Sequence, residues 1–482
     1  MSKQRRAAPL PAPGPVCREA RAFLLIALIA GLLLIWLIPP LCAPDEAEHF
    51  ANAWAISRGQ LLAAPAGNTC ARRLPEDFKD FLRAYPASLS GEEGGRYTYQ
   101  AMQAASQAAP ENAGTYAYDT HIASWGYAVS ALSMAAGTAL GKLLGFAAIG
   151  SAYHQMILGR LGNLLFYVIV TYFAIKRAPH FRRTMLLLAC LPMSLFLGAS
   201  LNYDAMLIPT ALYFVSLVLS LSREEEKPLN RGDWIRLLLC ALLLSGIKGS
   251  GAVLLLLLFA LPRRRLGDGK RLALFCGSIA LAAVLGWLPS LLQSARMPAA
   301  GSEDPSRQQL QWLLSHPLKV PRLLGVSLKA RGPYYIESFF GSLGWLDAHF
   351  PLPVMLLGWL ALLASAVYEG CTFALWQGHR RRNLVALAVS LVFALGTFLV
   401  LYVIHTPLPD VTGEIGGECV EGVQGRYFIP IFLPALLAVS NGWLLGRDRD
   451  SLRTNATALS CLWSACCAAL TVFLVLARYW LA

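Results

Sequence analysis

Apolar runs close to the length of a membrane crossing recur from end to end of the chain, divided by short polar breaks and by three long ones. About 20 apolar residues in a helix span the ~30 Å hydrocarbon layer. The pattern places crossings at 22–41, 157–176, 184–201, 205–222, 235–247, 250–262, 270–291, 352–372, 383–404, 427–445 and 457–479. This predicts an all-α polytopic integral membrane protein with about 11 transmembrane helices. Long runs, rather than short alternating ones, argue against a β-barrel.

The first run follows "KQRRAAPLPAPGPVCREAR" and is longer than the apolar core of a signal peptide. The "IPPLCAPDE" that ends it is a poor cleavage site, so residues 1–21 read as a cytoplasmic tail and 22–482 as one transmembrane domain. The runs 235–247 and 250–262 are 13 residues each, with "SGIKGSG" between them. Two readings stay open for this pair: a re-entrant hairpin lining a cavity, or two tilted spans. The segment 124–146 is placed along the outer interface, where Trp125 and Tyr127 suit the headgroup level.

Composition agrees: 56% of residues are hydrophobic and only 14% charged, against about a quarter charged in soluble domains. The net charge of +13 sits in clusters between apolar runs. The tail, "KRAPHFRR", "REEEKPLNRGDWIR", "RRRLGDGKR", "HRRR" and "GRDRDSLR" hold 24 of the 41 Lys and Arg. Positive-inside bias makes these segments cytoplasmic, and no nucleic-acid partner is implied. The long segments 42–156, 292–351 and 405–426 then lie outside, where function concentrates. The eleven cysteines show no metal spacing; a disulfide among Cys42, Cys70 and Cys419 is left open.

Ionisable chemistry gathers at the outer ends of several runs. "PPLCAPDEAEHF" brings Asp45, Glu46 and His49 just past the first crossing. An ordinary helix start explains Pro44 followed by two acids equally well. Glu46 and His49 form one Glu-x-x-His pair, but a di-iron bundle needs two, and HExxH, GxSxG and P-loop patterns are absent. Asp204 follows the third run in "SLNYDAM", Lys248 stands alone between the two short runs, and Arg426 opens a run where positive-inside bias disfavours it. If these ends converge, the cations suit a phosphate and a carboxylate suits a base acting on a hydroxyl.

"PDEAEHFANAWAISRGQL", "SLNYDAM", "GSLGWLDAHFP" and "GVQGRYFIPIFLP" resemble a bacterial family of predicted membrane proteins of unknown function, and more broadly the GT-C glycosyltransferases. The resemblance covers nearly the whole chain, and Gln424-Gly425-Arg426-Tyr427 is its most specific part. It implies an enzyme in the cell membrane that moves a sugar from a polyprenyl-phosphate-linked donor to a cell-envelope glycan or lipid acceptor. Transfer is extracytoplasmic and inverting. It further implies Asp45 as general base with Glu46 and His49 beside it, and Asp204 as the second-loop acid. Arg426, Lys248, Gln424 and Tyr427 are expected at the donor phosphate, and Trp345 and Asp347 at the sugar or acceptor. Some GT-C enzymes use Mg or Mn; there is no tight DxD here, so a metal on Asp45, Glu46 and Asp204 is left open. The rival readings are a transporter or flippase of lipid-linked glycans and a non-catalytic partner in glycan assembly. Against a transporter, the polar candidates sit at one side and no inverted repeat is visible.

Overall fold

The structure is a computed structural model that describes residues 17–84, 95–107, 114–120, 122–222, 228–297, 304–376, 380–406, 415–438 and 450–481. Most of the N-terminal tail, residues 439–445 of the run at 427–445, and the first part of "GRDRDSLR" lie outside the described residues.

Helix α1 (Arg18–Leu37) leads into α2 (Glu46–Ser57), β1 (Ala64–Ala66), β2 (Thr69–Pro75), α3 (Asp77–Ala84), α4 (Tyr99–Gln107), β3 (Thr115–Asp119) and α5 (Ala128–Leu143). Next come α6 (Ala152–Arg177), α7 (Arg182–Ala189), α8 (Pro192–Gly198), α9 (Asp204–Leu221) and α10 (Arg231–Ile247). A 3₁₀ helix, Gly249–Ala260, and α11 (Gly269–Ser294) follow. Then α12 (Pro305–Ser315), α13 (Val320–Phe340), β4 (Ser342–Leu343), β5 (Ala348–His349) and α14 (Leu352–Trp376) lead to α15 (Arg380–Ile404), α16 (Ile429–Ala438) and α17 (Asp450–Tyr479).

Seven of the described helices are long and apolar enough to cross a membrane, within α1, α6, α9, α11, α14, α15 and α17. The protein is therefore a multi-pass helical membrane protein. Helix α9 is central: 89% of its apolar window is buried, against 17% for α11 at the rim. A helix enclosed by others is apolar all round, which is how α9 reads.

The run predicted at 184–201 is two short helices, α7 and α8, broken at Cys190–Leu191. Pro192 causes the break: it has no N–H to donate, and its ring pushes Leu191 out of helical dihedrals to φ −55°, ψ 143°. The pair after it forms one α-helix and one 3₁₀ helix. Helix α10 begins at Arg231, four residues earlier than expected, and its 17 residues rise about 25 Å. The 12 residues of the 3₁₀ helix rise about 24 Å, because each advances ~2.0 Å rather than 1.5 Å. The rods turn over Lys248 at one end, where Gly251 N–H donates to the Lys248 carbonyl (2.8 Å). They meet again at the other end, where Leu229 N–H donates to the Arg265 carbonyl (3.1 Å).

Between α1 and α6, β1, β2 and β3 form an antiparallel sheet, with Arg73 opposite Ala117 and Pro65 opposite Cys70. Leu74 and Phe78 from this unit join Phe50 of α2 in a core of their own. Helix α5 runs against the first half of α6: Ser133 Oγ donates to the Leu158 carbonyl (2.6 Å) and Gln155 reaches Thr138 (2.9 Å). Cys42, Cys70 and Cys419 are free thiols in three separate surroundings, so the structure holds no disulfide among them.

Candidate functional site

The turn from α1 to α2 passes through two left-handed residues, Leu41 (φ 60°) and Asp45 (φ 59°). Such a conformation costs an ordinary side chain about 1–2 kcal/mol, less for Asp. Asp45 occupies the N-cap position of α2 yet makes no capping hydrogen bond. Its carboxylate, 64% exposed, instead faces Arg426, with Nη2 3.8 Å from Oδ2.

Arg426 itself is buried. It stands in a short 3₁₀ turn, Gly425–Phe428, at the head of α16. The segment leading to it is strapped along α13. Val420 N–H donates to Ser327 Oγ (2.9 Å), Arg331 pairs with Glu421 (2.6 Å), and Gly425 N–H donates to Ser338 Oγ (2.8 Å). Positions 327, 331 and 338 lie at i, i+4 and i+11, on one face of the helix. Gly425 presses directly on α13: a Cβ there would overlap the Tyr335 carbonyl oxygen and the Phe339 amide nitrogen. Gly425→Ala is therefore expected to push Arg426 off its seat and cost about 1–3 kcal/mol, read as a drop in thermal unfolding temperature in detergent.

Lys248, at the tip of the α10–3₁₀ turn, reaches the same place. Its Nζ lies 4.1 Å from the Tyr427 ring centre and 5.1 Å from that of Tyr203, and Arg426 Cζ lies 5.4 Å from the same Tyr427 ring. Two cations thus share one tyrosine. Buried Asp204, in the first turn of α9, is within electrostatic reach of both. Among the described residues, Lys248 makes no hydrogen bond or salt bridge, and Arg426 Nε and Gln424 Oε1 are buried without a hydrogen-bond partner. Buried polar groups are normally satisfied, so these two atoms are open to a further hydrogen bond.

His49 forms the back wall. It is buried, its Nδ1 is 2.9 Å from Tyr127 Oη, and its ring meets that of Tyr203 edge-on at 4.8 Å. Burial, with the charges of Arg426 and Lys248, pushes its pKa down from 6.5 to about 3. A depressed histidine pKa favours the neutral form in the fold, so the unfolded chain takes the proton first. His49 contributes its full stabilisation above pH 6.5 and loses it as pH falls toward 3. The unfolding temperature of the wild type should therefore decline more steeply below pH 6.5 than that of His49→Gln; parallel profiles would contradict this.

Three expected site residues also brace the fold. Glu46 is fully buried in a bidentate ion pair with Arg160 (2.6 and 2.8 Å) and also accepts from Leu201 N–H (2.9 Å). Arg160 in turn donates to the Ile35, Ile38 and Pro39 carbonyls (3.1, 2.7 and 3.0 Å). With every oxygen committed, Glu46 ties together the end of α1, α2, α6 and the loop before α9. Asp347 is held by Arg478 (2.6 Å) and Tyr479 (3.2 Å). Trp345 donates to the Leu41 carbonyl (2.9 Å), bracing the turn that presents Asp45. The metal set Asp45, Glu46 and Asp204 is not assembled. Among the described residues no three His, Cys, Asp or Glu side chains gather so as to hold a metal ion.

Sequence reasoning read Tyr127 only as an interface aromatic and passed over Tyr203, Ser338 and Arg160. For Arg160 a signal existed: an arginine inside an apolar run is costly and rarely idle.

A family model described as predicted membrane protein (DUF2142) matches residues 28–435. The chain belongs to that family. The match to DUF2142 begins within α1 and ends within α16, so it takes in Asp45, Asp204, Lys248 and Arg426 together. No curated protein and no solved structure matches this DUF2142 protein.

Proposed function

We propose that this DUF2142 protein is a GT-C-type membrane glycosyltransferase with about 11 crossings, a cytoplasmic N-terminus and an extracytoplasmic site. Its donor is a polyprenyl-phosphate-linked sugar, and its acceptor is a hydroxyl of a cell-envelope glycan or lipid. One observation carries the reading: buried Arg426, with an unpartnered Nε and Lys248 beside it, faces the exposed, uncapped carboxylate of Asp45. Arg426 is buried and Lys248 partly so, and both offer donors of the kind that suit a phosphate. A phosphate leaving group gains negative charge as its bond to the sugar breaks, so donors fixed beforehand at its oxygens lower the barrier.

Asp45 accepts the proton of the acceptor hydroxyl. The oxygen attacks the anomeric carbon from the face opposite the phosphate, inverting it. The anomeric C–O bond breaks, and the electron pair leaves with the polyprenyl phosphate, held by Arg426 and Lys248. Gln424 offers its orphaned carbonyl to a sugar hydroxyl, and Tyr427 lines the same wall.

The decisive test uses the full chain purified in detergent, with a panel of polyprenyl-phosphate sugars and envelope glycan acceptors, and products read by mass spectrometry. Acceptor-dependent release of polyprenyl phosphate is the expected result. A transporter has no membrane to cross in that assay and makes no product, so silence across the panel, followed by lipid-linked glycan movement in vesicles, would favour the rival class.

A further inference from the structure

A cavity of about 560 Å³ lies between α7, α14 and α17 and shares no residue with the site around Arg426. Its lining is mostly apolar, led by Leu357 and Leu360 of α14 and Leu459 and Leu462 of α17, each more than half exposed. Both α14 and α17 are long and apolar enough to cross a membrane, so these side chains face hydrocarbon. Along α14 the lining runs from Leu357 to Tyr368. Eleven helical steps advance about 16 Å, roughly half of the ~30 Å hydrocarbon layer. One end of this groove is polar. Arg183, in the first turn of α7, lines it and is buried, with 5% of its surface exposed. Its Cζ lies 4.6 Å from the Tyr368 ring centre and its Nε 3.4 Å from Glu369 Oε1. Glu369 also accepts from Thr184 N–H (2.9 Å) and Thr184 Oγ1 (2.7 Å), which fixes the pair to the start of α7. The guanidinium charge is thus already balanced, yet Arg183 Nη1 is buried without a hydrogen-bond partner and is open to a further acceptor.

We infer that this groove holds one glycerophospholipid, with an acyl chain along α14 and an ester carbonyl oxygen accepting from Arg183 Nη1. The groove has the polarity of such a molecule: a long apolar trough with one buried donor at its end. Water is absent from the hydrocarbon layer, so an acceptor for that donor comes from whatever fills the groove. Arg183 closes the basic segment "KRAPHFRR" where α7 begins, which suits the boundary between headgroups and hydrocarbon, and the ester carbonyls of a bilayer lie at that level. The volume falls in the ~300–1,000 Å³ range of small-molecule sites. Ala361, Ala364 and Ala456 keep the trough open, since none projects beyond a methyl group. Because Glu369 already pairs the charge, the contact selects for the ester and the chain rather than for a charged headgroup.

The test uses the full chain, stripped of lipid in detergent and titrated with dioleoyl phosphatidylglycerol, dioleoyl phosphatidylethanolamine and the diether analogue of the former, with retained lipid counted by native mass spectrometry. The wild type is expected to keep one phospholipid per chain, with the two diesters equal within about twofold and the diether about fivefold weaker, the worth of one further hydrogen bond. A364W fills the trough from an exposed position and should lose that lipid while unfolding at the wild-type temperature in detergent alone. Equal retention by wild type and A364W would overturn the site. Equal binding of diester and diether, a comparison that needs no variant, would overturn the carbonyl contact with Arg183. A strong preference for phosphatidylglycerol would overturn the ester assignment in favour of a phosphate. A second copy of the chain, released by A364W, would overturn lipid as the occupant.

Discussion

Asp45→Asn yields a folded, membrane-inserted protein whose sugar transfer falls by about 10²–10⁴-fold, the contribution of a positioned general base. Asparagine is the informative replacement. It tolerates the left-handed backbone that Asp45 adopts, and it keeps the side chain's shape. No capping bond is lost, because Asp45 makes none. The contact with Arg426, 3.8 Å long and with a 64% exposed carboxylate, is screened by water and adds little stability. Stability and activity therefore separate: unfolding temperature stays near wild type while product release collapses. Full activity in this variant would remove Asp45 from the mechanism.

Glu46→Gln, one position further on, should behave in the opposite way. Glu46 and Arg160 are both fully buried, so neutralising one leaves a guanidinium uncompensated at a cost of about 3–5 kcal/mol. The expected result is poor yield and a lowered unfolding temperature, with activity lost in proportion to folded protein. Replacing both partners, as in Glu46→Gln with Arg160→Met, should recover part of the stability because no charge is then stranded. A well-folded but inactive Glu46→Gln protein would instead place Glu46 in the chemistry.

These neighbouring residues show what a sequence can and cannot disclose. The long apolar runs were legible because composition alone decides them: 205–222 against Asp204–Leu221, and 270–291 against Gly269–Ser294, differ by at most a few residues. The run at 184–201 misled because Pro192 acts locally on a stretch whose average hydropathy hides it. That 250–262 winds as a 3₁₀ helix was hidden because helix type is not set by residue count. In the site, Asp45, Asp204, Lys248 and Arg426 were legible as charges where apolar sequence makes charge expensive. Glu46 and Asp347 carried the same signal, yet their partners lie 114 and 131 residues away, at Arg160 and Arg478. Only the fold shows which carboxylates are already spoken for. The sheet β1–β2–β3 escaped notice because its strands are short and β3 joins from about 40 residues downstream of β2.

The stretched rod beneath Lys248 has a mechanical implication. Rewound into α-helical form, its 12 residues would reach only about 18 Å, some 6 Å short of their present span. The winding of this segment therefore helps set the depth at which Lys248 meets Tyr427.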